Sequence, residues 1–125
     1  MKSERTVLIV EDDESLRRVA TSVLKRAGYR VLEARDSDEA SELWRNEFSS
    51  IDVLFSDILM PNLSGPELAR ELLSVRPDLR VVFATGSERL LVKNSINLVH
   101  KKRLLQKPYT PGQLRDAIAA TFSAS

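Results

Sequence analysis

Four short stretches hold side chains that could do chemistry together: Glu11-Asp12-Asp13-Glu14, Ser56-Asp57, Thr85-Gly86 and Lys107-Pro108. A cluster of carboxylates repels itself unless a cation joins it. All-oxygen ligands favour Mg²⁺ or a similar hard ion over zinc. Magnesium needs only a few carboxylate or carbonyl ligands and keeps some waters. A lysine and a threonine hydroxyl opposite the acids suit a phosphoryl group. The ammonium balances oxyanion charge and the hydroxyl donates a hydrogen bond. Gly86 leaves room for such a group near the backbone. Acid, cation site, lysine and hydroxyl together suggest phosphoryl transfer to a carboxylate.

These residues matter only if the fold brings them to one place. Thr6-Val7-Leu8-Ile9-Val10 is a continuous β-branched run, as a strand buried on both faces requires. From Ser15 the period becomes helical, with Leu16, Val19, Ala20, Val23, Leu24 and Ala27 on one face and Gly28 as the stop. Residues 29–34 read as a second strand. A helix starts near Ser37 and carries Ala40, Leu43 and Trp44 inward. Residues 51–56 form a third strand that ends at Asp57. Ser64-Gly65-Pro66-Glu67 has capping-box spacing, followed by Leu68, Ala69, Leu72 and Leu73. Residues 79–84 form a fourth strand. A fourth helix is expected around Leu90 and Leu91, and Leu104-Leu105-Gln106 makes a fifth strand. Thr110 to Gln113 is a second capping box, before Leu114, Ala117, Ile118 and Phe122.

Five strands alternating with five helices predict an α/β fold: a parallel sheet with helices on both faces. Function in such sheets collects at the carboxyl ends of the strands, where all four stretches lie. The chain of 125 residues suits one domain, with its core at about residues 5–122. Apolar residues make up 42% and charged residues 30%, an ordinary globular composition. Nineteen Lys and Arg against 18 Asp and Glu give a net charge of +1, which argues against general polyanion binding, direct nucleic-acid binding included. The absence of cysteine excludes disulfides and thiolate chemistry, and the lone His100 excludes a multi-histidine metal site. No apolar run approaches the roughly 20 residues that span a bilayer, and the first residues lack a signal peptide's apolar stretch, so the expected compartment is the cytoplasm without membrane contact.

Val10-Glu11-Asp12-Asp13, Asp57-Ile58-Leu59-Met60-Pro61 with Gly65 beyond, Thr85-Gly86 and Lys107-Pro108 come in order, each at a strand end. With them the sequence, from Val7 to about Phe122, resembles the receiver domain of two-component response regulators. It is similar both to single-domain, chemotaxis-type regulators and to receivers fused to hybrid histidine kinases. The resemblance implies a flavodoxin-like, doubly wound (βα)5 sandwich with strand order 2-1-3-4-5. It implies Asp57 as phosphoacceptor. Asp12 would bind Mg²⁺ (or Mn²⁺) directly and Glu11 through a water, with Asp57 and the Leu59 backbone carbonyl completing the set. Thr85 and Lys107 would hold the phosphoryl oxygens, and the Lys107-Pro108 bond would be cis. The donor would be the phosphohistidine of a histidine kinase or phosphotransfer protein. The domain would catalyse its own aspartyl phosphorylation and dephosphorylation. Output would pass to a protein target through the face of the fourth helix, fifth strand and fifth helix.

Other residues have plainer readings. Asp13 and Glu14 read as acids of the first helical turn. Trp44 and Phe122 read as core, and His100-Lys101-Lys102-Arg103 as a solvated loop. Leu59 and Ser87 are placed to gate water at the site. One departure stands out: Leu104 occupies the position, three before the lysine, where many receivers carry Tyr or Phe. Tyr109 lies beyond the lysine and is not an obvious substitute. A receiver lacking this aromatic could also act as a phosphorylation-independent binding module. A flavodoxin-type protein would need a Ser/Thr/Gly-rich phosphate loop where four acids stand. An aspartate-nucleophile phosphatase would place two acids on one strand, whereas Asp57 has Leu59 two residues on.

Overall fold

A computed structural model of the chain describes residues 4–86 and 104–123. The strands are β1 (Thr6–Val10), β2 (Arg30–Ala34), β3 (Val53–Asp57), β4 (Arg80–Thr85) and β5 (Leu104–Gln106). The described helices are α1 (Glu14–Arg26), α2 (Ser37–Glu47), α3 (Gly65–Val75) and α4 (Pro111–Ser123). The helix expected around Leu90 and Leu91, with Ser87 and the 100–103 cluster, lies outside the described residues, so the expected fifth helix is α4. The five strands form one parallel sheet in the order β2-β1-β3-β4-β5.

Helices cover both faces, which is why β1 is apolar without a break: all five of its residues are buried. Leu8 and Val10 pack with Trp44, Leu54, Leu68 and Leu72 on the α2–α3 side. Val7 and Ile9 pack with Leu24, Phe55, Leu114 and Ile118 on the α1–α4 side. Trp44 is core as expected; Phe122 is partly buried, with Arg5 and Arg80 over its ring at 3.8 and 4.5 Å.

Local chemistry fixes the helix ends. Asp13 caps α1, its carboxylate accepting from the Leu16 N–H at 3.0 Å. The helix stops at Gly28, whose φ of +98° suits glycine; Gly28 N–H bonds the Lys25 carbonyl and Tyr29 N–H the Leu24 carbonyl, both at 3.0 Å. The Ser64–Glu67 box closes in both directions, at 3.3 and 3.1 Å, and the Thr110–Gln113 box at 3.0 and 2.8 Å.

The face of α1 differs from the expected one. Leu16 and Val19 are 42% and 55% exposed, and Ala27 is the exposed C-cap. Ala20 and Leu24 are buried and Val23 half-buried, as expected, and the inward arc adds the buried Thr21 and the half-buried Arg17. Apolar periodicity finds apolar stripes; here two polar residues, Arg17 and Thr21, belong to the inward side. Strand β3 ends at Asp57 as read, and β4 runs one residue further toward the site than the 79–84 read, to Thr85.

Candidate active site at the carboxyl ends of the strands

The sheet register brings the functional stretches together. Val10 lies opposite Ser56, Asp57 opposite Ala84, and Thr85 opposite Gln106. Glu11 and Asp12 therefore leave β1 beside Asp57 on β3, with Thr85 one residue beyond Asp57's neighbour and Lys107 just past β5.

Lys107 closes the group. Its Nζ donates to Glu11 Oε1 at 2.5 Å and to Asp57 Oδ2 at 2.9 Å. All three side chains are largely shielded, so the ammonium neutralises two carboxylates where water screens poorly. Burial, the largest influence, pushes the Glu11 carboxyl above its usual 4.5, and the Asp57 charge adds to this. Hydrogen bonds from Lys107 and the Asp13 N–H, with the lysine charge, pull the other way. For Lys107, burial alone would lower the ammonium. The bonds it donates to both carboxylates and their charges outweigh burial and raise it above 10.5.

Glu11, Asp12 and Asp57 each offer an oxygen, and the three oxygens lie within 4.8 Å of one another. Asp12 is exposed and Asp57 half-buried, so the cluster opens to solvent on one side. This donor set fits a hard divalent ion. Thr85 is 1% exposed, and its carbonyl accepts from the Lys107 N–H at 2.8 Å. Leu59 is 61% exposed beside the site, and the Lys107-Pro108 bond is cis. Asp13 is the α1 cap and Glu14 an exposed first-turn acid paired with Arg18, as their plainer readings had it.

The loop after Asp57 is held tightly. Gly65 N–H bonds the Ile58 carbonyl at 2.9 Å, and a Cβ on Gly65 would overlap the Asp57 carbonyl oxygen. Asn62 stands at φ +71° with its amide on Asp38 at 3.2 Å, and the Leu63 N–H bonds Ser37 Oγ. The start of α3 can abut the end of β3 at Asp57 only because residue 65 lacks a side chain.

A sequence profile described as the response regulator receiver domain matches residues 7–119. The chain belongs to the response regulator receiver family. Over 114 residues this receiver domain is 32% identical to the response regulator receiver protein CpdR of Brucella abortus, covering 91% of each. It is 31% identical over 118 residues to the sensor kinase CckA of the same organism, covering 94% of this chain but only 12% of the kinase. The crystal structure of a response regulator receiver domain protein from Clostridium thermocellum superposes with a TM-score of 0.84 at 30% identity, covering 95% of this chain and 94% of that one.

Two residues gain weight in this receiver that the sequence reading did not give them. Arg17 reaches the Glu11 carbonyl. Arg17 and Arg18 are adjacent and of one type, and only the helix phase separates them. Tyr109 is half-buried, its ring edge-on to Phe55 at 5.9 Å, two residues before Asp57. Leu104 instead packs on the α2–α3 side of the sheet. Burial pushes the Tyr109 phenol up to about 12, with Lys107 opposing. An alkaline absorbance titration should therefore show a phenolate midpoint at about 12 that Tyr109→Phe removes. The folded state holds this proton more tightly than the unfolded chain. Its contribution to stability is present below pH 10 and lost as pH rises toward 12. A midpoint near 10 for Tyr109 would contradict its packing.

Proposed function

We propose that this receiver accepts a phosphoryl group on Asp57 from the phosphohistidine of a histidine kinase or phosphotransfer protein, and that Mg²⁺ is required. The observation that carries the reading is the single ammonium of Lys107 bonded to both Glu11 and Asp57, beside a triad of converging carboxylate oxygens. One Asp57 oxygen attacks phosphorus while the phosphorus–nitrogen bond to the donor imidazole breaks. The imidazole leaves with the electron pair and takes up a proton. Lys107 then follows the charge from the carboxylate to the phosphoryl oxygens. The Thr85 hydroxyl, at the end of β4, donates to one of them. Glu11, Asp12, Asp57 and the Leu59 carbonyl would hold the cation, which offsets the charge of the transferring group. Water attack on the acyl phosphate resets the domain, and the exposed Leu59, two residues past Asp57, would limit that attack.

The state of Asp57 would be read by a protein target on the face that includes β5 and α4. With Leu104 aliphatic, the usual aromatic does not take part in that reading. The reaction needs no other domain, and a cytoplasmic setting suits a kinase-fed switch. None of the described helices is long and apolar enough to cross a membrane.

Incubation with acetyl phosphate and Mg²⁺ should add one phosphoryl mass to the intact protein, labile to hydroxylamine. Omitting Mg²⁺ or substituting Asp57→Asn should abolish the gain. No gain from acetyl phosphate or from a phosphorylated kinase, with no Mg²⁺ binding by titration, would leave a phosphorylation-independent binding module as the better account.

A further inference from the structure

The backbone on either side of Glu11 is gripped from outside the carboxylate cluster, and the peptide that joins it to Asp12 is held through the Glu11 carbonyl. The Glu11 N–H donates to the Ala34 carbonyl of β2 at 3.1 Å, continuing the sheet one residue past β1. The Glu11 carbonyl accepts from Arg17 Nη1 at 2.9 Å. The other arm of the guanidinium, Nε, lies 3.3 Å from Glu33 Oε1 near the end of β2. Arg17 is itself fixed in the first turn of α1, its N–H on the Asp13 carbonyl at 2.9 Å, and its side chain is only 17% exposed. Rotation of the Glu11–Asp12 peptide would swing the Asp12 carboxylate relative to Glu11. The bond from Arg17 opposes that rotation.

We infer that Arg17 is a positioning residue for the cation site: through the Glu11 carbonyl it holds Glu11 and Asp12 in register for one ion, and Glu33 aims it. The inference rests on the Mg²⁺ reading above and adds a residue that touches neither the ion nor the phosphoryl group. It also accounts for the turn of α1, which presents Arg17 inward and leaves Leu16 and Val19 in solvent. The sign of the effect separates positioning from simple charge. As a charge, Arg17 repels a dication, so removing it would tighten binding. As a brace, its removal loosens the ligand pair and weakens binding. Partners that orient metal ligands from outside typically cost roughly 10- to 100-fold in metal affinity when removed.

The test is calorimetric titration of Mg²⁺ into wild type, Arg17→Ala, Arg17→Lys and Glu33→Gln, with thermal unfolding recorded without the ion. Arg17→Ala should raise the Kd for Mg²⁺ roughly tenfold or more. Arg17→Lys, which keeps the charge but not the two-armed grip, and Glu33→Gln should raise it less. At saturating Mg²⁺, the final extent of phosphorylation from acetyl phosphate should match wild type. An unchanged or lower Kd in Arg17→Ala overturns the inference. If that variant does not fold, Glu33→Gln carries the test, and an unchanged Kd there overturns it equally. Absence of Mg²⁺ binding by wild type would instead count against the proposed function.

Discussion

Replacing Lys107 by methionine should slow phosphorylation of Asp57 roughly 100- to 1,000-fold at saturating Mg²⁺, the usual cost of losing one well-placed donor to developing oxyanion charge. The same change should tighten Mg²⁺ binding. In wild type the ammonium occupies the space between Glu11 and Asp57, at 2.5 and 2.9 Å, and competes with the dication for the same carboxylates. Without Mg²⁺ the variant leaves two shielded carboxylates facing each other, at a cost of roughly 3 kcal/mol at neutral pH. That cost depends on pH in a defined direction. Burial already holds the Glu11 carboxyl above 4.5 in the folded chain, and losing Lys107 removes the bond that lowers it. A carboxyl raised on folding takes stability away as pH climbs above 4.5 through its folded value. The deficit of Lys107→Met should therefore shrink as pH falls, and chemical denaturation at neutral and mildly acidic pH measures it. Equal phosphorylation rates in variant and wild type would remove Lys107 from the reaction.

Gly65→Ala should damage the site from beneath without touching any reacting group. The added methyl would overlap the Asp57 carbonyl oxygen and lie 3.1 and 3.2 Å from the Asp57 carbonyl carbon and the Ile58 Cα. All three are backbone atoms, so no side-chain rotation relieves the contact. Either β3 shifts at Asp57 or α3 slides away and loses the bond from the Gly65 N–H to the Ile58 carbonyl. Overpacking of this kind costs roughly 1–3 kcal/mol or more. Because the displaced atoms belong to Asp57, the proposed phosphoacceptor, and to Ile58 beside it, phosphorylation should fall well beyond what the loss of stability explains. A folded Gly65→Ala variant with wild-type phosphorylation kinetics would contradict the packing.

The sheet was legible because the physics behind its pattern is simple. A strand covered on both faces must be apolar throughout, and Val7 to Val10 are. The two capping boxes and Gly28 mark helix ends through hydrogen bonds that only certain residue types make. Glu11, Asp12, Asp57, Thr85 and Lys107 could be placed at one mouth of the sheet because each follows or ends a strand. The phase of α1 was legible only in part, through Ala20, Val23 and Leu24. Leu16 and Val19 look like core by spacing, whereas the helix turns to aim Arg17 at the Glu11 carbonyl, a polar demand that hydrophobic periodicity does not carry. Tyr109 was hidden for a related reason: its contact with Phe55 joins residues 54 positions apart, which only the assembled sheet brings together.

One particular carboxylate, Asp57, is proposed to carry the phosphoryl group. Borohydride reduces an aspartyl phosphate to homoserine, so peptide mass mapping after phosphorylation with Mg²⁺ and acetyl phosphate identifies the acceptor. Homoserine is expected at position 57 alone, and none when Mg²⁺ is withheld. Homoserine at Asp12 or Asp13, or a phosphoryl mass that persists in Asp57→Asn, would contradict it.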